Sequence, residues 1–136
     1  MNFFTTVLGS GAAIPTLARH CSGQVVNVNG CRILLDCGEG TQNQLRAYHQ
    51  KMQSVGLVCI SHLHGDHFFG LPGLLTTQHL CGRTAPIDVV APEGVRASME
   101  PFLQLSGSHI DYEVRYHELS GDECRVVFEN NKCLVY

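Results

Sequence analysis

The chain has 136 residues, 44% of them apolar and 15% charged, with a formal net charge of −3. That length sets an expectation of one domain with one core, the composition excludes a disordered chain, and no apolar run approaches the roughly 20 residues of a membrane-spanning helix. The small negative charge is not the electrostatic footprint of a nucleic-acid binder, although a metal or one local basic patch can still hold phosphates.

Met1-Asn2-Phe3-Phe4 lacks the basic segment and long apolar stretch of a secretory signal. Residues 3–8 read as a strand that ends at the small-residue turn Gly9-Ser10-Gly11-Ala12-Ala13. Residues 24–28 and 32–36 flank Asn29-Gly30, the strongest short hairpin signal. Thr41 is placed to cap a helix carrying Leu45, Tyr48 and Met52 at spacings of three and four. Residues 56–61 form a continuous apolar run, as in a strand buried on both faces. A second helix is predicted over 71–80, with Pro72 in its first turn and Gly82 past its end. Residues 87–91 read as a strand and 92–105 as a third helix. Residues 113–117, 125–129 and 132–136 are strand-like, the last two joined by Asn130-Asn131. The order predicts an α/β layered domain with a mixed sheet. The apolar ending Cys133-Leu134-Val135-Tyr136 has no cap or polar tail, so residues 1–136 are expected to be the amino-terminal portion of a single larger domain.

Seven cysteines, an odd number with no C-x-x-C pair, lie mostly within apolar runs such as Leu57-Val58-Cys59-Ile60. They read as free thiols in a reducing cytoplasm rather than a disulfide framework.

The chemistry concentrates in His62-Leu63-His64-Gly65-Asp66-His67, four potential metal ligands within six residues after a buried strand. If the strand runs on to His64, its period of two sets His62 and His64 on one face, toward one ion. Gly65 lets the backbone turn so that Asp66 and His67 face a second. Imidazole and carboxylate suit zinc, and also manganese or iron. The bland alternative is a solvated histidine-rich loop. Two metals need about six ligands with bridging groups shared, and the cluster supplies four. His49 and His79 read as helix-surface residues, His20 is isolated, and His109 and His117 are the remaining histidines that could approach the site.

At these residues the chain resembles a known family. His62-Leu63-His64-Gly65-Asp66-His67 is the H-x-H-x-D-H signature of the metallo-β-lactamase superfamily. Gly9-Ser10-Gly11-Ala12-Ala13-Ile14-Pro15, Asp36-Cys37-Gly38-Glu39-Gly40-Thr41-Gln42, Ile60-Ser61 and Gly70-Leu71-Pro72-Gly73-Leu74-Leu75 narrow the likeness to ribonuclease Z, as do Gly82-Arg83, Pro86 and Ala91-Pro92-Glu93-Gly94. The resemblance runs over about residues 3–95 and implies an αββα sandwich with mixed sheets. It also implies a zinc-dependent, homodimeric endoribonuclease that removes the 3′ trailer from precursor tRNA in the cytoplasm, with no DNA or membrane partner. Carried onto this chain, His62 and His64 bind a first zinc, Asp66 and His67 a second, and Asp66 is the proton acceptor. The family's further metal-binding histidines, bridging aspartate, catalytic histidine and tRNA-gripping arm have no counterparts in these 136 residues. Fewer than two tightly held zinc ions are therefore expected.

Around the cluster, Asp36 is either a partner that orients a ligand histidine or a turn-forming aspartate. Gly9-Ser10-Gly11 reads as a tight turn more than as a phosphate cradle. Glu39 and Thr41 belong to the rim of the site or cap the next helix. Arg19, Arg46 and Arg83 could contact RNA phosphates but read first as ordinary surface arginines.

Overall fold

The structure, a computed structural model, describes residues 1–121 and 123–136. Strand β1 (Phe3–Gly9) runs antiparallel to β2 (Gly23–Val28), and β2 runs antiparallel to β3 (Cys31–Leu35). Between β2 and β3, Asn29 and Gly30 both take positive φ, 52° and 84°, as the tight hairpin turn demands.

From β3 onward the chain changes habit. It runs through α1 (Thr41–Ala47), β4 (Val55–Cys59), the one-turn α2 (Gly65–Phe68), α3 (Leu71–Leu80), β5 (Ile87–Pro92), α4 (Val95–Leu105) and β6 (Val114–Leu119). The pairs β3–β4, β4–β5 and β5–β6 are all parallel, and the six strands lie side by side in chain order. Parallel crossovers are right-handed, so strands added in one direction send every crossover helix to the same face. That face holds the main core: Val25, Leu34, Val58, Ile87, Val89 and Ala91 from the sheet meet Leu45, Leu71, Leu74, Leu75, Val95 and Met99 from the helices. Burying each such large side chain stabilises the fold by about 1.5–3 kcal/mol relative to leaving it in water.

The opposite face carries Ile33, Leu57 and Val90. Against it rests a second, two-stranded sheet of β7 (Phe128–Glu129) and β8 (Leu134–Val135), antiparallel to one another. The fold is therefore α/β with a mixed main sheet and strands laid on its second face. Gly56 makes a bulge in β4, since Arg32 pairs with Val55 while Ile33 pairs with Leu57. The extra residue lets Val55 and Val58 both enter the helix-side core.

Several boundaries differ from the expectations. The first helix stops at Ala47 because His49 takes φ 54°, so Met52 reaches the core from a separate 3₁₀ turn. Gly40, in a left-handed conformation, occupies the cap position, which makes Thr41 the first helical residue rather than the cap. Pro92 ends β5, and α4 begins only after Gly94 at φ 97°. The two strands expected near the end shorten to two residues each.

Arg83 is neither a surface arginine nor a phosphate contact. It is buried, and its guanidinium donates to the carbonyls of Ala85 (2.8 Å), Gln53 (3.1 Å), Val55 (2.9 Å) and Pro86 (2.7 Å). It fastens the start of β4 to the turn before β5. Arg19 and Arg46 are exposed as expected.

Candidate metal centre

The parallel pairing of β3 with β4 ends with Leu35 beside Cys59, and Asp36 continues it one step by donating its N–H to the Cys59 carbonyl at 2.8 Å. Both chains then leave the sheet at its carboxyl edge, where ligands gather in α/β sheets. Asp36 turns back with φ 57°, a conformation that Asp and Asn tolerate better than most residues. Its Oδ1 accepts the Ser61 N–H at 2.8 Å, while Oδ2 accepts the Ser22 hydroxyl at 2.9 Å and His67 Nδ1–H at 2.6 Å. Burial opposes the charge on Asp36, but the Ser61 N–H, the His67 imidazole and the nearby hydroxyls outweigh it and hold the carboxyl below its ordinary value. Of the two readings of Asp36, the structure supports the one in which it orients a histidine.

The strand ends at Cys59 rather than His64, so a loop and not the strand period brings His62 and His64 together. Their rings meet edge to face with centroids 4.8 Å apart. The His62 ring also lies 4.0 Å from that of His67, so the three imidazoles are neighbours. His64 is followed by the single turn of α2, which carries Asp66 and His67.

Because the ionised Asp36 carboxylate can only accept, the proton in the short His67 contact sits on Nδ1, which leaves Nε2 as the nitrogen turned toward the rest of the cluster. That Nε2 faces Asp66 Oδ2 at 3.4 Å. Two lone-pair donors facing each other repel unless a cation or proton lies between them. The separation is also close to the roughly 3.3 Å expected for two donors on one tetrahedral zinc. Asp66 and His67 fit a shared metal ion on this ground. Among the described residues no three His, Cys, Asp or Glu side chains close on a common point.

Ala13, which the sequence did not mark as functional, takes part in the site. It holds φ 60° and donates its N–H to Asp66 Oδ2 at 2.8 Å. That bond is the main reason the Asp66 carboxyl lies below its ordinary value; slight desolvation opposes it, and His67 and His62 assist it. The Gly9–Gly11 turn spends the Gly11 N–H on the His20 carbonyl at 2.8 Å, so it works as a tight turn that delivers Ala13. Ala13, Pro15, Cys21, Glu39, His64, Asp66 and Phe69 line a cleft of about 390 Å³, which puts Glu39 on its rim.

Backbone packing fixes α2 beneath the cluster. The Cys37 N–H donates to the His67 carbonyl at 2.7 Å, and the Gly70 N–H donates to the Cys37 carbonyl at 2.9 Å. A side chain at Gly38 would collide with the Asp66 carbonyl and the Cys21 Cβ, so only glycine fits there. The other histidines lie elsewhere. His117 pairs with Asp88 at 2.7 Å, His79 and His109 both contact Asp111, and His20 contacts Gln44.

The family model described as Anti-Pycsar protein Apyc1 matches residues 3–114. The chain is 40% identical over 129 residues to a ribonuclease Z of Bacteroides fragilis, covering 95% of this chain and 42% of that protein. To a ribonuclease Z of Porphyromonas gingivalis it is 39% identical, covering 98% and 44%. The crystal structure of human tRNase Z, short form, superposes with a TM-score of 0.85 at 35% identity, over 96% of this chain and 56% of that one. The chain thus spans about two fifths of the length of the curated relatives it matches. It belongs to the family that the Apyc1 model describes, and in sequence and fold it is a ribonuclease Z relative with the metallo-β-lactamase fold.

Proposed function

We propose that the whole protein is a zinc-dependent endoribonuclease of the ribonuclease Z type, removing the 3′ trailer from precursor tRNA, and that residues 1–136 are the amino-terminal portion of its catalytic domain. The observation that carries this reading is the Nε2 of His67 set against Asp66 Oδ2 at 3.4 Å, with His62 and His64 in the same cluster. The names of the relatives and of the human structure supply the substrate class. Homodimers and a cytoplasmic setting complete the proposal; no helix among the described residues is long and apolar enough to cross a membrane.

Zinc bound here would supply Lewis acidity to a phosphate oxygen and a hydroxide nucleophile at neutral pH. His62 and His64 would hold one ion, and Asp66 and His67 a second. Asp36 keeps the Nδ1 proton on His67, so that Nε2 stays available as a donor, and it stiffens the ring. Asp66 Oδ2 accepts the Ala13 N–H with one lone pair and faces His67 Nε2 with the other, where the ion would sit, which leaves Oδ1 for the proton of an incoming water. This arrangement suits ligation better than strong base catalysis.

The test uses the full-length protein with precursor tRNA and with bis(p-nitrophenyl) phosphate. A single cut at the trailer junction, lost on chelation and in His62→Ala, His64→Ala, Asp66→Ala and His67→Ala variants, is the expected result. Cleavage that survives chelation refutes the metal, and hydrolysis of the small ester without any cut in the RNA refutes the substrate. The second reading is a smaller phosphodiester substrate, because the H-x-H-x-D-H cluster fixes the fold better than the substrate. The same pair of assays separates the two.

A further inference from the structure

Cys31 opens β3 in the main sheet, and Cys133 directly precedes β8 in the small sheet, 102 positions later. Their sulfurs lie 3.4 Å apart. Both side chains pack on the sheet face opposite the helices, in the cluster around Ile33, Leu57 and Val90. One amide aligns them: Asn130 Oδ1 accepts the Cys133 N–H at 2.9 Å, and Asn130 Nδ2 approaches the Cys31 sulfur at 3.5 Å. The Asn130 N–H completes the turn by donating to the Cys133 carbonyl at 3.0 Å. Both thiols are half-buried and within reach of a small solute, whereas Cys21 and Cys37 are enclosed.

We propose that Cys31 and Cys133 form an oxidisable dithiol, a modification site at which hydrogen peroxide closes a disulfide that ties the β7–β8 sheet to β3. A disulfide needs its sulfurs about 2.05 Å apart, so closure asks for an approach of about 1.3 Å, within reach of side-chain rotation. Burial pushes the Cys133 thiol up to about 11, so at neutral pH it is a poor first nucleophile and reacts second. The Cys31 thiolate attacks one peroxide oxygen; an S–O bond forms, the O–O bond breaks, and the departing hydroxide takes up the thiol proton as water. Cys133 sulfur then attacks the sulfenic sulfur of Cys31; the S–S bond forms, the S–O bond breaks, and the hydroxyl leaves with the Cys133 proton as a second water. Two thiols and one peroxide become one disulfide and two waters, with two electrons passing from sulfur to oxygen. Cys59 shares this face with its thiol pushed up to about 12 by burial, and the 3.4 Å contact of Cys31 with Cys133 sets the pairing.

The experiment treats the folded full-length protein with hydrogen peroxide, blocks remaining thiols with iodoacetamide, then reduces and labels with N-ethylmaleimide. Peptide mass mapping should find the maleimide on both Cys31 and Cys133. Without reduction, the two peptides should be joined, two hydrogens lighter than their sum. Iodoacetamide on both residues at a dose that fully oxidises the exposed Cys81 overturns the proposal, as does a joined peptide pairing either residue chiefly with Cys59. In a Cys31→Ser variant the same dose should leave Cys133 reduced. Oxidation of Cys133 there to the wild-type extent also overturns the pairing.

Discussion

Replacing Asp36 by Asn keeps the shape of the side chain and its tolerance of positive φ, but removes the charge and puts an amide donor or a weaker acceptor against His67. A hydrogen bond to a charged group contributes about 1.5–3 kcal/mol, and the 2.6 Å contact with His67 is the shortest of the three that Asp36 accepts. One amide oxygen can still accept the Ser61 N–H. The expected loss is therefore about 2–3 kcal/mol, most of it from the His67 bond. Urea unfolding of wild type, Asp36→Asn, His67→Ala and the double variant at pH 7 gives the pairwise coupling, expected near 2 kcal/mol. The pH dependence supplies a second check. Because the folded carboxyl lies below its unfolded value of about 3.9, its contribution is complete above that value and drains away as pH falls through the folded one. The gap between wild type and Asp36→Asn should shrink as pH falls below about 4. A coupling under about 0.5 kcal/mol, or a gap that does not shrink below about pH 4, refutes the reasoning.

Arg83→Met should destabilise by about 3 kcal/mol or more, because four carbonyls lose their donor, and Arg83→Lys should recover little since one ammonium cannot reach all four; urea midpoints report both. Gly38→Ala should cost about 3 kcal/mol or more, while Gly56→Ala, whose added carbon meets nothing within 4 Å, should stay within about 0.5 kcal/mol in the same assay. Ala13→Pro removes the N–H held by Asp66 and forbids φ 60°, so zinc affinity of the full-length protein, measured by competition with a chromophoric chelator, should fall about 10–100-fold. Ala13→Gly should bind as tightly as wild type, and equal affinity in all three would remove Ala13 from the site.

Much of this was legible where one short segment carries its own cause. Asn29-Gly30 needs no distant partner to turn, and the apolar β4 and β5 announce a buried parallel sheet by composition. The cluster was legible because its four donors fall within six residues. What escaped depends on long-range contacts. Arg83 reads as a surface charge until Gln53 and Val55, some 30 residues earlier, bring their carbonyls to it. Ala13 has no functional group except its amide, and only the fold carries that to Asp66, 53 residues away. Asp36 was balanced between two roles because both begin with an aspartate after a strand; the fold decides by where it puts His67. The early end of α1 comes from His49, whose positive φ no helical periodicity predicts.

The stagger of β3 against β4, Leu35 level with Cys59, acts as the gauge to which the whole cluster is cut. Neighbouring positions along a parallel strand are about 3.3 Å apart, whereas a hydrogen bond tolerates a spread of about 0.5 Å. A slip of one position between these two strands would carry Asp36 clear of both Ser61 and His67. Selection on the cluster must therefore reach the apolar residues that lock the two strands together, so that an interior valine or leucine well away from the chemistry can govern it as firmly as a donor atom does.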